Sequence, residues 1–124
     1  MAATRVLIAD DHAGVRQMLR LRLEFSNCQV VGEAANGREA VDLVEETSPD
    51  IVVMDLQMPT VDGVEATREI KERWPQIIVF GYTAQAHADR VDDLLAAGAT
   101  ANFYKTQFTE LAQAISDHAG AAPA

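Results

Sequence analysis

The sequence predicts an α/β fold: a doubly wound, five-stranded parallel sheet of order 2-1-3-4-5 with helices on both faces. The first observation behind this prediction is a fivefold alternation of short apolar runs with longer segments whose apolar residues recur at helical spacing. Such an alternation favours parallel strands joined by right-handed crossovers. The second observation is that polar residues follow the predicted strands, as in sheets whose sites lie beyond the C-terminal strand ends.

Five apolar runs are the predicted strands: residues 5–9, 29–34, 51–54, 77–82 and 101–104. The third run, Ile51-Val52-Val53-Met54, is uninterrupted and mostly β-branched, which is typical of a central strand buried on both faces. Gly32 weakens the second run. Gly81 stands in the fourth run, where a larger residue is expected, and it would either ease a motion there or make room for a neighbour.

The predicted helices cover residues 15–25, 38–47, 63–74, 86–97 and 108–119. Pro75 stops the third helix. Gly98 is a normal C-terminal stop for the fourth helix, which is rich in alanine. On the first helix, Arg16, Arg20 and Arg22 form a basic face that is either solvated or a docking surface.

The chain of 124 residues is long enough for one domain with a proper core. We expect the domain to cover residues 1–119, and residues 120–124 to form a flexible tail or the start of a linker. The net charge of −9 argues against non-specific binding to nucleic acid or to an anionic membrane.

The only cysteine is Cys28, which excludes an internal disulfide and a cysteine-based metal site. A single cysteine is also typical of the reducing cytoplasm. No small-residue cleavage site follows the first apolar run, and no apolar stretch is long enough to cross a bilayer. We therefore expect a cytoplasmic protein without a signal peptide.

Polar side chains end four of the five predicted strands. Asp10 and Asp11 follow the first strand, Asp55 the third, Thr83 the fourth and Lys105 the fifth. We expect them to meet at one edge of the sheet, where the strand order reverses between strands one and three. Three carboxylates in one pocket raise one another's pKa unless a cation is present. Ligands that are all oxygens suit Mg²⁺.

A cation beside Asp55 favours the transfer of a phosphoryl group onto that carboxylate, because carboxylates form acyl phosphates in covalent catalysis. Mg²⁺ would neutralise one phosphoryl oxygen and Lys105 a second, while the Thr83 hydroxyl and backbone N–H groups would bind the third. Each residue alone has an ordinary explanation as a helix cap, a turn residue or a solvated charge. Their joint placement at four strand ends favours the chemical interpretation.

Several motifs occur together: the paired acids after strand one, Thr83-Ala84, Lys105, and Met54-Asp55-Leu56-Gln57-Met58-Pro59 with Asp62-Gly63. With them, the chain resembles a response-regulator receiver domain from Arg5 to about His118. The segments Ile8-Ala9-Asp10-Asp11-His12 and Val31-Gly32-Glu33-Ala34-Ala35-Asn36-Gly37 resemble most closely the receivers that precede a LuxR-type helix-turn-helix.

The resemblance implies a flavodoxin-like receiver fold and a switch in two-component signalling. A sensor histidine kinase or phosphotransfer protein would phosphorylate Asp55 with Mg²⁺ as cofactor, and a partner or a homodimer mate would detect the phosphorylated surface. The protein would be no enzyme beyond promoting its own phosphorylation and dephosphorylation. Its output would be transcription regulation, without DNA or membrane contact by this domain. If the chain is cut at a linker, the missing part would be a DNA-binding domain.

The resemblance also assigns roles to residues beside the acids. The backbone carbonyl of Gln57 would be a further Mg²⁺ ligand, and the side chains of Gln57 and Gln85 match the positions that tune the lifetime of the phosphate. The switch position that usually holds an aromatic residue falls on Asn102, which cannot bury a ring behind a displaced Thr83. Tyr104 lies on the same strand face and is the alternative switch residue.

Two other functions stay open at this point. One is a receiver-fold adaptor that signals without phosphate, for which Asn102 and Gly81 leave room. The other, less favoured, is a Mg²⁺-dependent phosphatase with an Asp nucleophile. Such enzymes place the nucleophile after strand one in an Asp-x-Asp pattern, whereas Asp10 and Asp11 are adjacent and no cap insertion is present.

Overall fold

The computed structural model of the protein describes the backbone of residues 3–121 and the side chains of residues 3–118. Its sheet has the strands β1 (Thr4–Ala9), β2 (Cys28–Ala34), β3 (Ile51–Met54), β4 (Ile78–Thr83) and β5 (Ala101–Tyr104). The strands are ordered β2-β1-β3-β4-β5, and every neighbouring pair is parallel. The predicted fold class and strand order are therefore confirmed.

Within residues 3–121, five α-helices connect and follow the strands: α1 (Ala13–Phe25), α2 (Gly37–Thr47), α3 (Gly63–Arg73), α4 (Val91–Ala96) and α5 (Phe108–Ala121). Helix α5 thus includes the first two residues of the predicted tail, whose last three residues lie outside the described part of the chain. Among the described residues, no helix is both long and apolar enough to cross a bilayer.

The prediction of one regular helix over residues 86–97 is wrong. Gln85–Arg90 form a 3-10 segment in which His87 leaves helical geometry, with φ −106° and ψ 18°, and only Val91–Ala96 are α-helical. The alanines there supply helix propensity but little apolar surface, and no residue of the 3-10 segment is buried. Because helices in proteins are stabilised mostly by packing of an apolar face, the α-helix forms only around the buried Leu94.

Three helices begin with a side chain that caps the free backbone N–H groups of the first turn. His12, Asn36 and Asp62 each accept a hydrogen bond from the amide three residues further on. Such caps satisfy donors that have no partner inside the helix. They set the starts of α1, α2 and α3 next to the loops that leave the C-terminal strand ends.

The core has two apolar layers, one on each face of the sheet, and β3 contributes to both. Val52 and Met54 pack in the layer formed with α2, α3 and α4, whereas Ile51 and Val53 pack in the layer formed with α1 and α5. None of the four side chains is more than 2% exposed. This confirms β3 as a central strand buried on both faces. The residue that follows it, Asp55, is therefore held by a well-packed strand.

The basic residues of α1 contact other elements of the fold, although Arg22 is exposed and Arg16 and Arg20 are only partly buried. The Nε atoms of Arg16 and Arg20 lie 3.3 Å and 2.7 Å from the carboxylate of Glu33 on β2. The guanidinium of Arg22 lies 3.9 Å from the ring centroid of Phe108 on α5. The helical spacing of these arginines places them toward β2 and α5, whose partners the sequence alone does not show.

Candidate functional site

The site lies beyond the C-terminal ends of β1 and β3, which are neighbours in the middle of the sheet. Asp10 directly follows β1 and Asp55 directly follows β3. Ligand oxygens of Asp10, Asp11 and Asp55 all lie within 4.8 Å of one another. Asp10 and Asp55 are only 1% and 5% exposed, whereas Asp11 is exposed. The structure therefore brings together the three carboxylates that the sequence predicts to converge.

Backbone amides hold the two buried carboxylates in place. Asp10 Oδ1 accepts a hydrogen bond of 2.8 Å from the His12 N–H, and Asp55 Oδ1 accepts one of 2.9 Å from the Leu56 N–H. Each carboxylate thus has one oxygen bound by the chain itself. The other oxygen of each, Oδ2, faces Lys105.

Lys105 is the positive charge of this cluster. Its Nζ lies 2.9 Å from Asp10 Oδ2 and 3.5 Å from Asp55 Oδ2. Burial lowers the pKa of the Lys105 ammonium, but the nearby Asp10 and Asp55 carboxylates outweigh that effect, so the pKa is raised. Lys105 therefore stays charged, and it links the end of β5 to the ends of β1 and β3.

The Asp55 carboxyl has a strongly shifted pKa. Burial is the main cause and the charge of Asp10 the second, and together they raise the pKa of Asp55 from 3.8 to about 6, against the lowering effect of Lys105. Asp10 Oδ2 is buried, and among the described residues it has no hydrogen-bond partner beyond its ion pair with Lys105. The three clustered carboxylates carry more negative charge than the Lys105 ammonium, which contacts two of them, can offset, and their oxygens are the ligand type that Mg²⁺ prefers. The residues fit a hard divalent cation.

Thr83 and Asn102 contact each other at the C-terminal end of the β4–β5 pair. Thr83 is fully buried, and its Oγ1 lies 3.2 Å from Asn102 Nδ2 and 3.3 Å from Asn102 Oδ1. The register pairs Asn102 with Gly81. A Cβ at Gly81 would lie 2.2 Å from Asn102 Oδ1 and 2.5 Å from Leu94 Cδ2. The geometry therefore supports the second interpretation of Gly81, that it makes room for its neighbours.

The remaining predicted residues lie in the segments that follow β3 and β4 and at the end of β5. Gln57 is exposed on the loop after β3, and Gln85 is exposed at the start of the 3-10 segment. Tyr104 is half-buried at the end of β5, and its backbone N–H donates to Gln107 Oε1 at 2.9 Å. Among the described residues every peptide bond is trans, including the one after Lys105.

Arg90 is a residue near the site that the sequence did not indicate. Its guanidinium donates to Asp62 Oδ2 at 2.9 Å and to Gln57 Oε1 at 3.4 Å, and so joins the 3-10 segment to the loop after β3. Against the effect of burial, the Glu65 amide and Arg90 lower the pKa of Asp62. Because Arg90 lies 28 residues from Asp62 and within a stretch predicted as regular helix, no local pattern could have found this contact.

We expect Tyr82→Phe to lower the free energy of unfolding by about 1 kcal/mol, the usual worth of a partly buried hydrogen bond. The Tyr82 hydroxyl donates to the Lys105 carbonyl oxygen at 3.1 Å, and the ring is 1% exposed, so the substitution removes a bond without opening a cavity. Urea unfolding of both proteins measures the difference. An unchanged midpoint would show that this bond does not anchor the end of β5.

Comparison with known proteins agrees with this geometry. Residues 6–116 match the family model of the response regulator receiver domain. The uncharacterized transcriptional regulatory protein YhcZ of Bacillus subtilis (strain 168) is 39% identical over 118 residues, which are 94% of this chain and 55% of YhcZ. The chain thus spans about half the length of this curated relative.

Two solved structures show the same fold. One is a two-component response regulator of the LuxR family from Aurantimonas sp. SI85-9A1, with 37% identity, a TM-score of 0.85, and coverage of 93% of this chain and 84% of that one. The other is the CheX-CheY-BeF3-Mg+2 complex from Borrelia burgdorferi, with 28% identity, a TM-score of 0.76, and coverage of 82% and 77%. With the family model matched over most of its length, the chain belongs to the response regulator receiver domain family.

Proposed function

We propose that this domain is a phosphorylation-activated signalling switch that accepts a phosphoryl group on Asp55 in a Mg²⁺-dependent reaction. The observation that carries the proposal is the meeting of Asp10, Asp11 and Asp55 within 4.8 Å, beside the ammonium of Lys105. Membership of the receiver family supports the same conclusion. No observation favours the phosphate-independent adaptor or the phosphatase.

The carboxylates of Asp10, Asp11 and Asp55, with the backbone carbonyl of Gln57, would hold the ion. Bound Mg²⁺ would offset the excess negative charge of the site and polarise a phosphoryl oxygen. Two observations support this assignment: the donor atoms are all oxygens, and within the described part of the chain Lys105 alone pairs with the buried Asp10 Oδ2. A further support is that the similar Borrelia burgdorferi complex is described with Mg+2 and BeF3.

The chain's own residues supply the rest of the reaction. An oxygen of the Asp55 carboxylate attacks phosphorus, the bond between phosphorus and the donor breaks, and its electron pair leaves with the donor group. Lys105, which already contacts Asp55, pairs with a phosphoryl oxygen as charge develops on it. The Thr83 hydroxyl binds another. Gln57 and Gln85, which are exposed two residues after Asp55 and Thr83, control access of water and so the lifetime of the phosphate.

The partners follow from this role. The donor is a sensor histidine kinase or a phosphotransfer protein, and the phosphorylated domain is detected by a partner or by a second copy of itself. We further propose that residues 1–119 belong to the receiver domain, that this domain acts in the cytoplasm and catalyses only its own phosphorylation and dephosphorylation, and that it regulates transcription without touching DNA. The similarity to YhcZ, a transcriptional regulatory protein, supports the role in transcription, and the net charge of −9 supports the absence of DNA contact.

Intact-protein mass spectrometry after incubation with acetyl phosphate tests the proposal. We expect the mass gain of one phosphate in the presence of Mg²⁺, none in EDTA, and none for Asp55→Asn. Asp42→Asn is the matched control, because Asp42 is exposed on α2 and pairs only with Arg38 among the described residues. A gain that persists in Asp55→Asn, or wild-type protein that takes up no phosphate, would overturn the assignment. Repeated turnover of a simple phosphate ester would instead favour the phosphatase.

A further inference from the structure

The contact between Thr83 and Asn102 is the part of the site that the usual Thr–aromatic arrangement does not explain. Thr83 has no exposed surface, so its hydroxyl must find a partner inside the protein. Among the described residues, that partner is the side-chain amide of Asn102, whose nitrogen and oxygen lie 3.2 Å and 3.3 Å from Oγ1. Either end of the amide thus reaches the hydroxyl with little movement.

Gly81 is what lets the amide reach this position. Asn102 lies beside Gly81 in the β4–β5 register, and even a methyl group at residue 81 would occupy the place of Asn102 Oδ1, 2.2 Å from the ideal Cβ. Leu94 of α4 closes the same space from the other side, 2.5 Å from that Cβ. Gly81, Asn102 and Thr83 therefore form one packed unit, in which the glycine and the amide depend on each other.

The donors and acceptors of the two side chains determine which hydrogen bonds Thr83 can make. A hydroxyl donates one proton and accepts through its oxygen, whereas a primary amide has two donor protons and one acceptor oxygen. When Thr83 donates to Asn102 Oδ1, its proton is not available to another acceptor. When Asn102 Nδ2 instead donates to Thr83 Oγ1, the hydroxyl proton of Thr83 is free to bind another acceptor. The bond that Oγ1 accepts also makes the hydroxyl a better donor.

We propose that Asn102 is a positioning residue that donates to the Thr83 hydroxyl and so directs the single proton of Thr83 to the phosphoryl group on Asp55. This inference rests on the proposed function of Asp55 and goes beyond it. It gives Asn102 a role through hydrogen bonding, where an aromatic residue would act through the burial of its ring. Because Asn102 lies on β5, the same bond couples Thr83 to the strand that Lys105 directly follows.

The test compares phosphorylation rates from acetyl phosphate at saturating Mg²⁺. Asn102→Leu keeps the approximate size of the side chain but has no donor, and we expect the rate to fall about tenfold, the effect of about one lost hydrogen bond. Asn102→Asp keeps the acceptor oxygens and loses the donor, so we expect at least the same loss. Thr100→Ala, at an exposed residue just before β5, is the control and should keep the wild-type rate.

A double-mutant cycle separates positioning from a general structural effect. If Asn102 acts through the Thr83 hydroxyl, Thr83→Ala and Asn102→Leu together slow the reaction no more than Thr83→Ala alone. Urea unfolding checks that each variant is folded. If Asn102→Leu does not fold, Asn102→Asp replaces it in the cycle.

The measured rates distinguish failure of this inference from failure of the proposed function of Asp55. Wild-type rates in both Asn102 variants, or losses that add to that of Thr83→Ala, overturn the inference while the function of Asp55 stands. Wild-type protein that accepts no phosphate overturns both.

Discussion

Gly63→Ala is expected to destabilise the domain by about 3 kcal/mol or more and to abolish the stabilising effect of Mg²⁺. An ideal Cβ at residue 63 would lie 2.1 Å from the carbonyl oxygen of Asp55 and 3.0 Å from the Cα of Leu56. Both are backbone atoms, so no side-chain rotation can relieve the overlap. Moreover, the Gly63 N–H donates to the Leu56 carbonyl oxygen at 2.9 Å. The backbone that must shift is the one that carries the Asp55 carboxylate.

Urea unfolding with and without Mg²⁺ measures both effects. Gly14→Ala is the matched control, because residue 14 lies in the exposed first turn of α1 and an ideal Cβ there meets only the His12 side chain, at 3.1 Å. For the control we expect a change within about 1 kcal/mol and a normal response to Mg²⁺. A Gly63→Ala protein that unfolds at the wild-type urea concentration would show that the loop after β3 adjusts more easily than its packing implies.

Asp55→Asn is expected to stabilise the domain by about 2–3 kcal/mol near pH 8 in EDTA. The pKa of Asp55 is raised from 3.8 to about 6, so the folded state binds this proton more tightly than the unfolded state does. The contribution of a protonated Asp55 to stability is therefore present below pH 4, and it is lost as the pH rises through about 6. Asparagine, which never ionises, escapes that loss.

The pH dependence of the stabilisation distinguishes the ionisation of Asp55 from a change in packing as its cause. The stabilisation by Asp55→Asn should shrink to about half near pH 5, because the unfolded state is then deprotonated while folded Asp55 still holds its proton. Asp42→Asn, at an exposed carboxylate, should show no such trend. A gain in stability that is equal at both pH values, or no gain at all, contradicts the electrostatic explanation. The expected result is thus that an ionised Asp55 lowers the stability of the folded domain.

The fold could be predicted because its evidence is local. The apolar run at residues 51–54 predicts a buried strand from its own composition, and the same holds for the runs that became β1 and β4. Once the strands are parallel, the residues that follow them meet at one edge whatever the details of packing. For that reason Asp10, Asp55 and Lys105 could be grouped before any distance was known.

Contacts between distant elements could not be predicted in the same way. Arg16 and Arg20 looked like a solvated face because the sequence does not show that Glu33 lies beside them. The alanine-rich stretch after Thr83 looked like one helix because its propensity is visible while its lack of buried surface is not. The link from Arg90 to Asp62 depends on that same irregular segment. In each case a partner far along the chain decides the outcome.

What the sequence by itself determined is the sheet and the set of charged groups at its edge, since burial patterns and strand ends are written in neighbouring residues. In the sequence, Gly81 and Asn102 are only two separate departures from expectation: a glycine where a larger residue is expected and an amide where an aromatic residue is usual. The tertiary structure decided that they are one feature, because the β4–β5 register places the amide of Asn102 over the glycine and against Thr83. Strand register is set by pairing between residues some twenty positions apart, and no local pattern specifies it.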